Sequence, residues 1–352
     1  MFVALRDLRA ARGRFLLITL VVTLVALLVS FLSGLTAGLA HQNISAVESF
    51  PGDTVVFADT GAAPSFDASA LTAEQVAAWQ AAAGRGGAVE PIGISHGKVE
   101  PRGRAAVQVA FFGTTATAFG NRSATENGSV VLSTGAAKDL GAAAGDSVSI
   151  GGRAFTVAAV RGDDWYSHTP VVWTTLADWQ AMSPRGGAAT VLAVSGVPDP
   201  AAVNAAAHTQ TTSSSGALSA LSAYQAENGS LTLMTVLLFV ISALVIGAFF
   251  TVWTVQRMPD IATLKALGAT TGSLVRDALA QAAIVLTAGV AVGLGITVAA
   301  ATFMGDALPF VLSPATTLLP AIALIILGLL GAAFALRFLF TTDPLTALGA
   351  NR

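Results

Sequence analysis

The chain has 352 residues, 54% of them hydrophobic and only 11% charged, with a formal net charge of −2. Soluble domains carry about 25% charged residues and a charge in hydrocarbon is costly, so this deficit points to a bilayer. The balance leaves no basic footprint for nucleic acid, and the lack of cysteine excludes disulfides, thiolate metal sites and cysteine nucleophiles.

In chain order, residues 1–14 read as a cytoplasmic N-terminal amphipathic segment, with Phe2, Leu5 and Leu8 set against Arg6 and Arg9. A spanning helix needs about 20 apolar residues. Residues 15–40, Phe15 to Ala40, supply the first, free of charge between Arg14 and His41. The stretch is longer than the roughly 7–15 residues of a cleaved signal's apolar region, so it reads as an anchor.

Residues 41–230 read as a mixed α/β extracytoplasmic domain. Short β-rich runs, Thr54–Phe57, Ala106–Phe112, Val130–Leu132, Ser147–Ile150, Phe155–Val160 and Thr190–Val194, are bounded by Gly, Pro and Asp. Thr72 and Gln75 form a capping box before a helix over Val76–Ala83. Ser133 or Thr134 caps a short helix ending at Leu140–Gly141, and Thr174–Met182 reads as a third. Gly151-Gly152 between two alternating runs predicts a hairpin. The Ser/Thr-rich stretch Thr209–Ser215 reads as a linker to the next span.

Hydrolytic constellations are absent from this domain's sequence: its histidines are His96, His168 and His208, and no HExxH occurs. One GxSxG lies at Gly93-Ile94-Ser95-His96-Gly97. A nucleophile elbow needs a following helix, whereas Lys98-Val99-Glu100-Pro101 follows here, so the motif reads as a glycine-flanked turn. Asp163-Asp164-Trp165-Tyr166-Ser167-His168 is the densest polar and aromatic cluster. It reads as an exposed loop, with a ligand-contact loop as the sharper alternative.

Three more spans follow, at residues 231–256, 278–305 and 317–340, separated by a cytoplasmic coupling loop at 257–277 and a short outer loop at 306–316. Pro309, Pro314 and Pro320 precede or open the last span, and residues 341–352 form a tail. The regions before span one, between spans two and three, and after span four hold nine basic residues against Asp7, Asp260, Asp277 and Asp343, a net of +5. The segment between spans one and two carries a net of −6. Basic residues stay on the cytoplasmic side, so both termini are expected inside and residues 41–230 outside. Gly34/Gly38 and Gly289/Gly293 have the small-xxx-small spacing that lets helices approach closely. No Asp, Glu, Lys or Arg sits mid-span, which disfavours a proton- or ion-driven transporter and a charge-lined channel.

The chain also lacks GxxxxGK[ST], so any driving nucleotide must bind another polypeptide. In the coupling loop, Pro259 suits a first helical turn, Ile261, Leu264 and Leu267 share one face, and Gly268 ends the helix. That face suits a partner better than lipid alone, because the segment is weakly basic.

The run Met258-Pro-Asp-Ile-Ala-Thr-Leu-Lys-Ala-Leu-Gly-Ala269 resembles the R-E-I-A-L-L-R-A-L-G-A-T segment of MacB/FtsX-type ABC transporter permeases, with Asp260 in place of the usual glutamate and Pro259 where arginine is common. Val130–Gly141 with Gly145–Val157 is similar to the family's periplasmic core domain, and Thr342-Asp343-Pro344-Leu345-Thr-Ala-Leu348 to its terminal D-P-x-x-A-L. The resemblance implies an α-helical membrane protein with four transmembrane helices and an α/β extracytoplasmic domain between helices 1 and 2, multi-pass in the plasma membrane. It implies a homodimer in a 2+2 complex, surrounded by membrane lipid, with a cytoplasmic ABC ATPase that binds ATP and Mg. The permease itself is then no enzyme and carries no intrinsic cofactor. ATP-driven closure would reach the outer domain by mechanotransmission, through a coupling contact at Met258, Asp260, Ile261, Leu264, Lys265, Leu267 and Gly268.

Within that family the chain's size resembles the heme-exporting HrtB-type permeases. This implies export of heme or a similar amphipathic compound, contacted at the outer ends of spans one and two by His41, Glu48, Phe50, Tyr224, Glu227 and Met234. His41, Glu48 and Met234 are then the candidate iron ligands, and Phe50 a stacking partner. The family also leaves open a regulatory FtsX-like permease that controls an extracellular hydrolase, or an exporter of an antibiotic, peptide or lipoprotein.

Overall fold

The computed structural model describes residues 12–84, 86–101, 103–115, 119–183 and 186–336. Most of the expected amphipathic segment, the expected fourth span beyond Leu336, and the tail with its Asp343-Pro344 motif lie outside the described residues. The chain divides into two units, Met1–Gly38 with Ser230–Arg352, and Leu39–Gly229.

Among the described residues, four helices are long and apolar enough to cross a membrane: Phe15–Glu48, Ser222–Gln256, Thr271–Met304 and Pro314–Ala335. Hydrocarbon offers the backbone no hydrogen-bond partner, so a spanning segment must satisfy itself as a helix. Polar side chains in the spans do likewise: the hydroxyls of Thr251, Thr254 and Thr297 donate to the carbonyls of Gly247, Phe250 and Gly293 at 2.7–3.0 Å. The first helix continues from Ala40 to Glu48, and the second begins at Ser222, nine residues before Leu231. Hydropathy marks where hydrocarbon is tolerated; where a helix stops is set by caps and packing. Span four begins at Pro314 behind a Ser313/Thr316 capping box, and Pro320 lies inside the helix rather than ahead of it.

The two glycine pairs serve different ends. A Cβ on Gly293 would meet the Thr23 carbonyl oxygen at 2.7 Å and the Leu27 nitrogen at 3.0 Å, and one on Gly289 would meet Val22 at 2.7 Å, so spans three and one touch backbone to backbone. Gly34 and Gly38 instead admit the loop between spans three and four. The Phe310 ring and the Pro309 carbonyl fill the space a Cβ would need, and Val311 N–H donates to the Gly34 carbonyl at 3.1 Å. The apolar core of this unit runs through Phe15, Val22, Val29, Ile246, Phe250, Leu286 and Leu324.

Among the described residues, the outer unit joins ten strands in one network. In chain order its labelled elements are β1 (Thr54–Ala58), α1 (Ala73–Ala83), β2 (Ala88–Pro101), β3 (Val107–Thr114), β4 (Ser129–Leu132), α2 (Thr134–Leu140), β5 (Ser147–Ile150), β6 (Arg153–Val160), β7 (Trp165–Tyr166), β8 (Thr169–Thr175), α3 (Leu176–Met182), β9 (Val191–Ser195), α4 (Pro200–Ala207) and β10 (Thr209–Ser213). The Thr72/Gln75 capping box, the Ser133 cap and the Gly151-Gly152 hairpin between β5 and β6 are all present.

The path β10-β1-β9-β2-β3-β8-β4-β6-β5 turns on β2, a 14-residue strand. Its start pairs with β9, its middle with β3, and Val99–Pro101 with β5, so the second half of the path returns to β2. The expected turn at Gly93–Gly97 is therefore corrected: this stretch is strand. Its glycine at 93 is required because the Trp179 indole, whose Nε1 donates to Ser95 Oγ at 3.0 Å, occupies the Cβ position. The expected linker Thr209–Ser215 is corrected too: it is β10, paired along β1, followed by one helical turn at Ser214–Ala217. Strand β2 shows no clean alternation in sequence, because neighbours on both of its sides supply its order, whereas β10 is an edge strand ordered by β1 alone.

Candidate functional site

Two adjacent left-handed residues, Ser167 (φ 48°) and His168 (φ 60°), form the turn between β7 and β8, where Tyr166 faces Thr169. The hairpin docks on the last turns of the first helix through its backbone. Ser167 N–H donates to the Asn43 carbonyl at 3.0 Å and His168 N–H to the Gln42 carbonyl at 2.9 Å. Trp165 N–H donates to Ser45 Oγ at 2.8 Å.

Side chains add two histidine–carboxylate pairs. His41 Nε2 lies 3.2 Å from Asp163 Oδ2, while Asp163 Oδ1 accepts from Trp165 Nε1 at 2.8 Å and Thr134 Oγ1 at 3.1 Å. His168 Nε2 lies 2.9 and 3.0 Å from the two Glu227 oxygens, and Asn43 Nδ2 donates to Glu227 at 3.3 Å. A carboxylate only accepts, so His168 presents its Nε2 proton to Glu227. The first turns of the second helix, the last turns of the first, and the hairpin thus share one polar cluster. Asn43 is fully buried, and its Oδ1 has no partner among the described residues.

Asp164, next in the hairpin, is 4% exposed and pairs with Arg122 Nη1 at 2.9 Å and Trp173 Nε1 at 3.2 Å. Burial holds its carboxyl above the ordinary aspartate range, against the opposing pull of Arg122 and Trp173. The expectation of an exposed loop at Asp163–His168 is therefore corrected to a docked, half-buried hairpin.

Of the six residues expected to contact substrate, His41 and Glu227 enter this cluster. Glu48 is exposed near the end of the first helix, and Tyr224 is half-buried against the unit's apolar core. Phe50 is corrected: it is 7% exposed, with its ring edge-on to Phe66, Phe112 and Phe119, which leaves no face to stack on a ligand. Met234 belongs to the membrane unit and is exposed. Asn43, Asp163 and His168 complete the cluster; the density of polar residues at 163–168 was the sequence signal for the last two. Among the described residues, no group of three or more His, Cys, Asp or Glu side chains is placed to hold a metal ion. A separate cleft of about 120 Å³, lined by Ser69, Ser95, His96, Trp179 and Thr190 among others, shares no residue with the cluster.

In the membrane unit, the loop between spans two and three carries a helix at Met258–Ala266, with Pro259 in its first turn. It closes through Gly268 (φ 95°), whose N–H donates to the Lys265 carbonyl at 3.0 Å, while Ala269 N–H donates to that of Leu264. Leu264 and Leu267 are 41% and 79% exposed, Ile261 is half-buried and Ala262 is buried. Met258 and Lys265 are half-buried, and Asp260 belongs to the first turn of the same helix.

Family models match both parts of the chain: the MacB-like periplasmic core domain over residues 15–210 and the FtsX-like permease C-terminal over residues 232–344. The hemin transport system permease protein HrtB of Staphylococcus haemolyticus is 37% identical over 129 residues, 37% of each chain. HrtB of Staphylococcus epidermidis is 26% identical over 200 residues, 56% of each. The matched stretches thus span about half of these relatives' length or less. The solved periplasmic region of MacB from Actinobacillus actinomycetemcomitans aligns with 50% of this chain and 94% of its own at 14% identity, with a TM-score of 0.37.

Proposed function

The chain belongs to the MacB/FtsX-type ABC transporter permeases, and on that premise we propose that it expels heme or a similar amphipathic compound from the membrane as the permease half of an exporter. The observation that carries this reading is the polar cluster at the junction of spans one and two, where His41 and His168 are each held by a carboxylate. An amphipathic macrocycle needs polar groups for its iron and propionates, and the histidine pairs beside Glu227 and Asp163 offer them. Imidazole and thioether are established iron ligands, so His41 and Met234 remain candidates, with Glu48 as an oxygen ligand; His168 joins them. The relatives named for hemin transport support the same substrate class.

In this reading both termini are cytoplasmic and residues 41–230 face outward, as the charge asymmetry favours. Two copies pair, and each docks one ATP- and Mg-binding subunit on the loop 258–269. Leu264 and Leu267 form the exposed apolar contact, and burying one such side chain is worth about 1.5–3 kcal/mol. Changing both to Asp should detach the ATPase while the permease stays in the membrane; a complex that survives intact refutes the docking site. For the substrate, the purified protein should show a hemin absorbance band that shifts in His41→Ala, Glu48→Ala or Met234→Ala. No thiolate-type spectrum is expected from a chain without cysteine. Absence of hemin binding, or one spectrum unchanged in all three variants, would remove heme and leave the permease assignment standing. A stable complex with a cell-wall hydrolase would instead favour a regulatory role.

A further inference from the structure

Gln281 is 0% exposed, on the third span, in the apolar core of the membrane unit. Its Oε1 accepts from Arg257 Nη1 at 2.5 Å, and its Nε2 donates to Asp277 Oδ2 at 3.0 Å, one turn earlier on the same helix. Both ends of the amide are thereby assigned. A flip would set the NH₂ against a guanidinium and the oxygen against a carboxylate. Arg257 is itself a corner. Its N–H closes the span-two helix onto Trp253 and Thr254, its guanidinium lies 5.1 Å from the Trp253 ring centroid, and its carbonyl accepts from Ile261 N–H at 3.0 Å, opening the loop helix.

We propose that Gln281 is a positioning residue that fastens the loop helix at Met258–Ala266 to the third span through Arg257. Movement imposed on that loop then reaches spans two and three together rather than span two alone. The functional meaning rests on the loop being the ATPase dock; the fastening itself does not. A buried amide between a cation and a carboxylate is an expensive thing to keep in an apolar core. It repays that cost only if both bonds are made, which is why its loss should be felt at the far end of Arg257.

The test uses the whole purified chain in phospholipid nanodiscs, read by amide hydrogen exchange. Gln281→Leu should speed exchange over residues 258–267 by on the order of tenfold, the scale of one lost hydrogen bond to a charged group. Gln281→Glu keeps the bond to Arg257 and repels only Asp277, so protection of 258–267 should stay near that of the parent. Arg257→Lys, which shortens the donor without altering the buried position, should behave like Gln281→Leu. Unchanged exchange at 258–267 in both Gln281→Leu and Arg257→Lys would overturn the proposal. So would equal acceleration throughout the spans in Gln281→Leu and Gln281→Glu, which marks a general packing role. If no ATPase binds the parent loop, the docking assignment fails, and the exchange result still decides the role of Gln281.

Discussion

The membrane unit and the outer unit are built from one chain but hide opposite things. Among the described residues, every exposed large apolar side chain lies in the membrane unit, Leu16, Leu244 and Phe303 at 70%, 71% and 91% among them. The outer unit instead buries several of its largest side chains completely, with Trp79, Trp173, Phe57 and Phe112 at 0%. Lipid tails are as apolar as leucine, so hiding leucine gains nothing there and packing must come from close approach. Gly247 and Gly331 bring spans two and four together, as Gly289 and Gly293 do spans three and one. Water rewards burial, so the outer unit is held by an aromatic cluster in which Phe112 and Phe119 lie 5.2 and 4.7 Å from Trp173. The difference teaches that glycine lets one span approach another in the membrane unit, whereas in the outer unit it makes room for buried indoles such as Trp179 over Gly93.

The strongest way to break that contrast is Gly293→Leu. The neighbours of the new side chain are the backbone atoms of Thr23 and Leu27, which cannot swing aside. Overpacking typically costs about 1–3 kcal/mol and occasionally more, and a contact with fixed backbone belongs at the upper end. The membrane unit should lose its monodisperse, heat-stable form in detergent, while the outer unit's aromatic near-ultraviolet signal persists. If the variant unfolds no more readily than the parent, close glycine packing is not what holds the spans.

A middle-sized effect lies at Asp164. Its carboxyl titrates above the ordinary value of 3.8, so the folded unit holds that proton more tightly than the unfolded chain does. The contribution is therefore stabilising below the ordinary value and is lost as pH rises through the raised one. Asp164→Asn should flatten thermal stability against pH in that window and cost on the order of 1 kcal/mol at neutral pH, because the Arg122 bond weakens. Melting curves across the acidic range check it; an unchanged slope would show that burial of Asp164 does not govern its titration.

The smallest effect belongs to the His41–Asp163 pair, whose side chains are 36% and 59% exposed. Exposed pairs are worth less than about 1 kcal/mol, so Asp163→Asn should scarcely move the melting temperature. A change in hemin binding without a change in stability would sharpen the view that the cluster serves a ligand and not the fold.

His41 and Glu227 were legible as candidates because each sits beside a span, and proximity along a helix is local information. That Glu227 meets His168, 59 residues away, was not legible, since no local rule pairs them. Phe50 misled for the same reason: next to a span it looks available, and only three distant phenylalanines make it core. The sequence alone determined the four spans, the Thr72/Gln75 box and the Gly151-Gly152 hairpin, because hydrocarbon length, a capping box and a two-residue turn are each satisfied within a few neighbouring residues. Tertiary structure alone decided that Gly34 and Gly38 seat a loop while Gly289 and Gly293 seat a helix, and that β2 serves β9, β3 and β5 in turn. The same spacing of small residues offers the same gap in each case, and what fills a gap depends on chain segments far away in sequence.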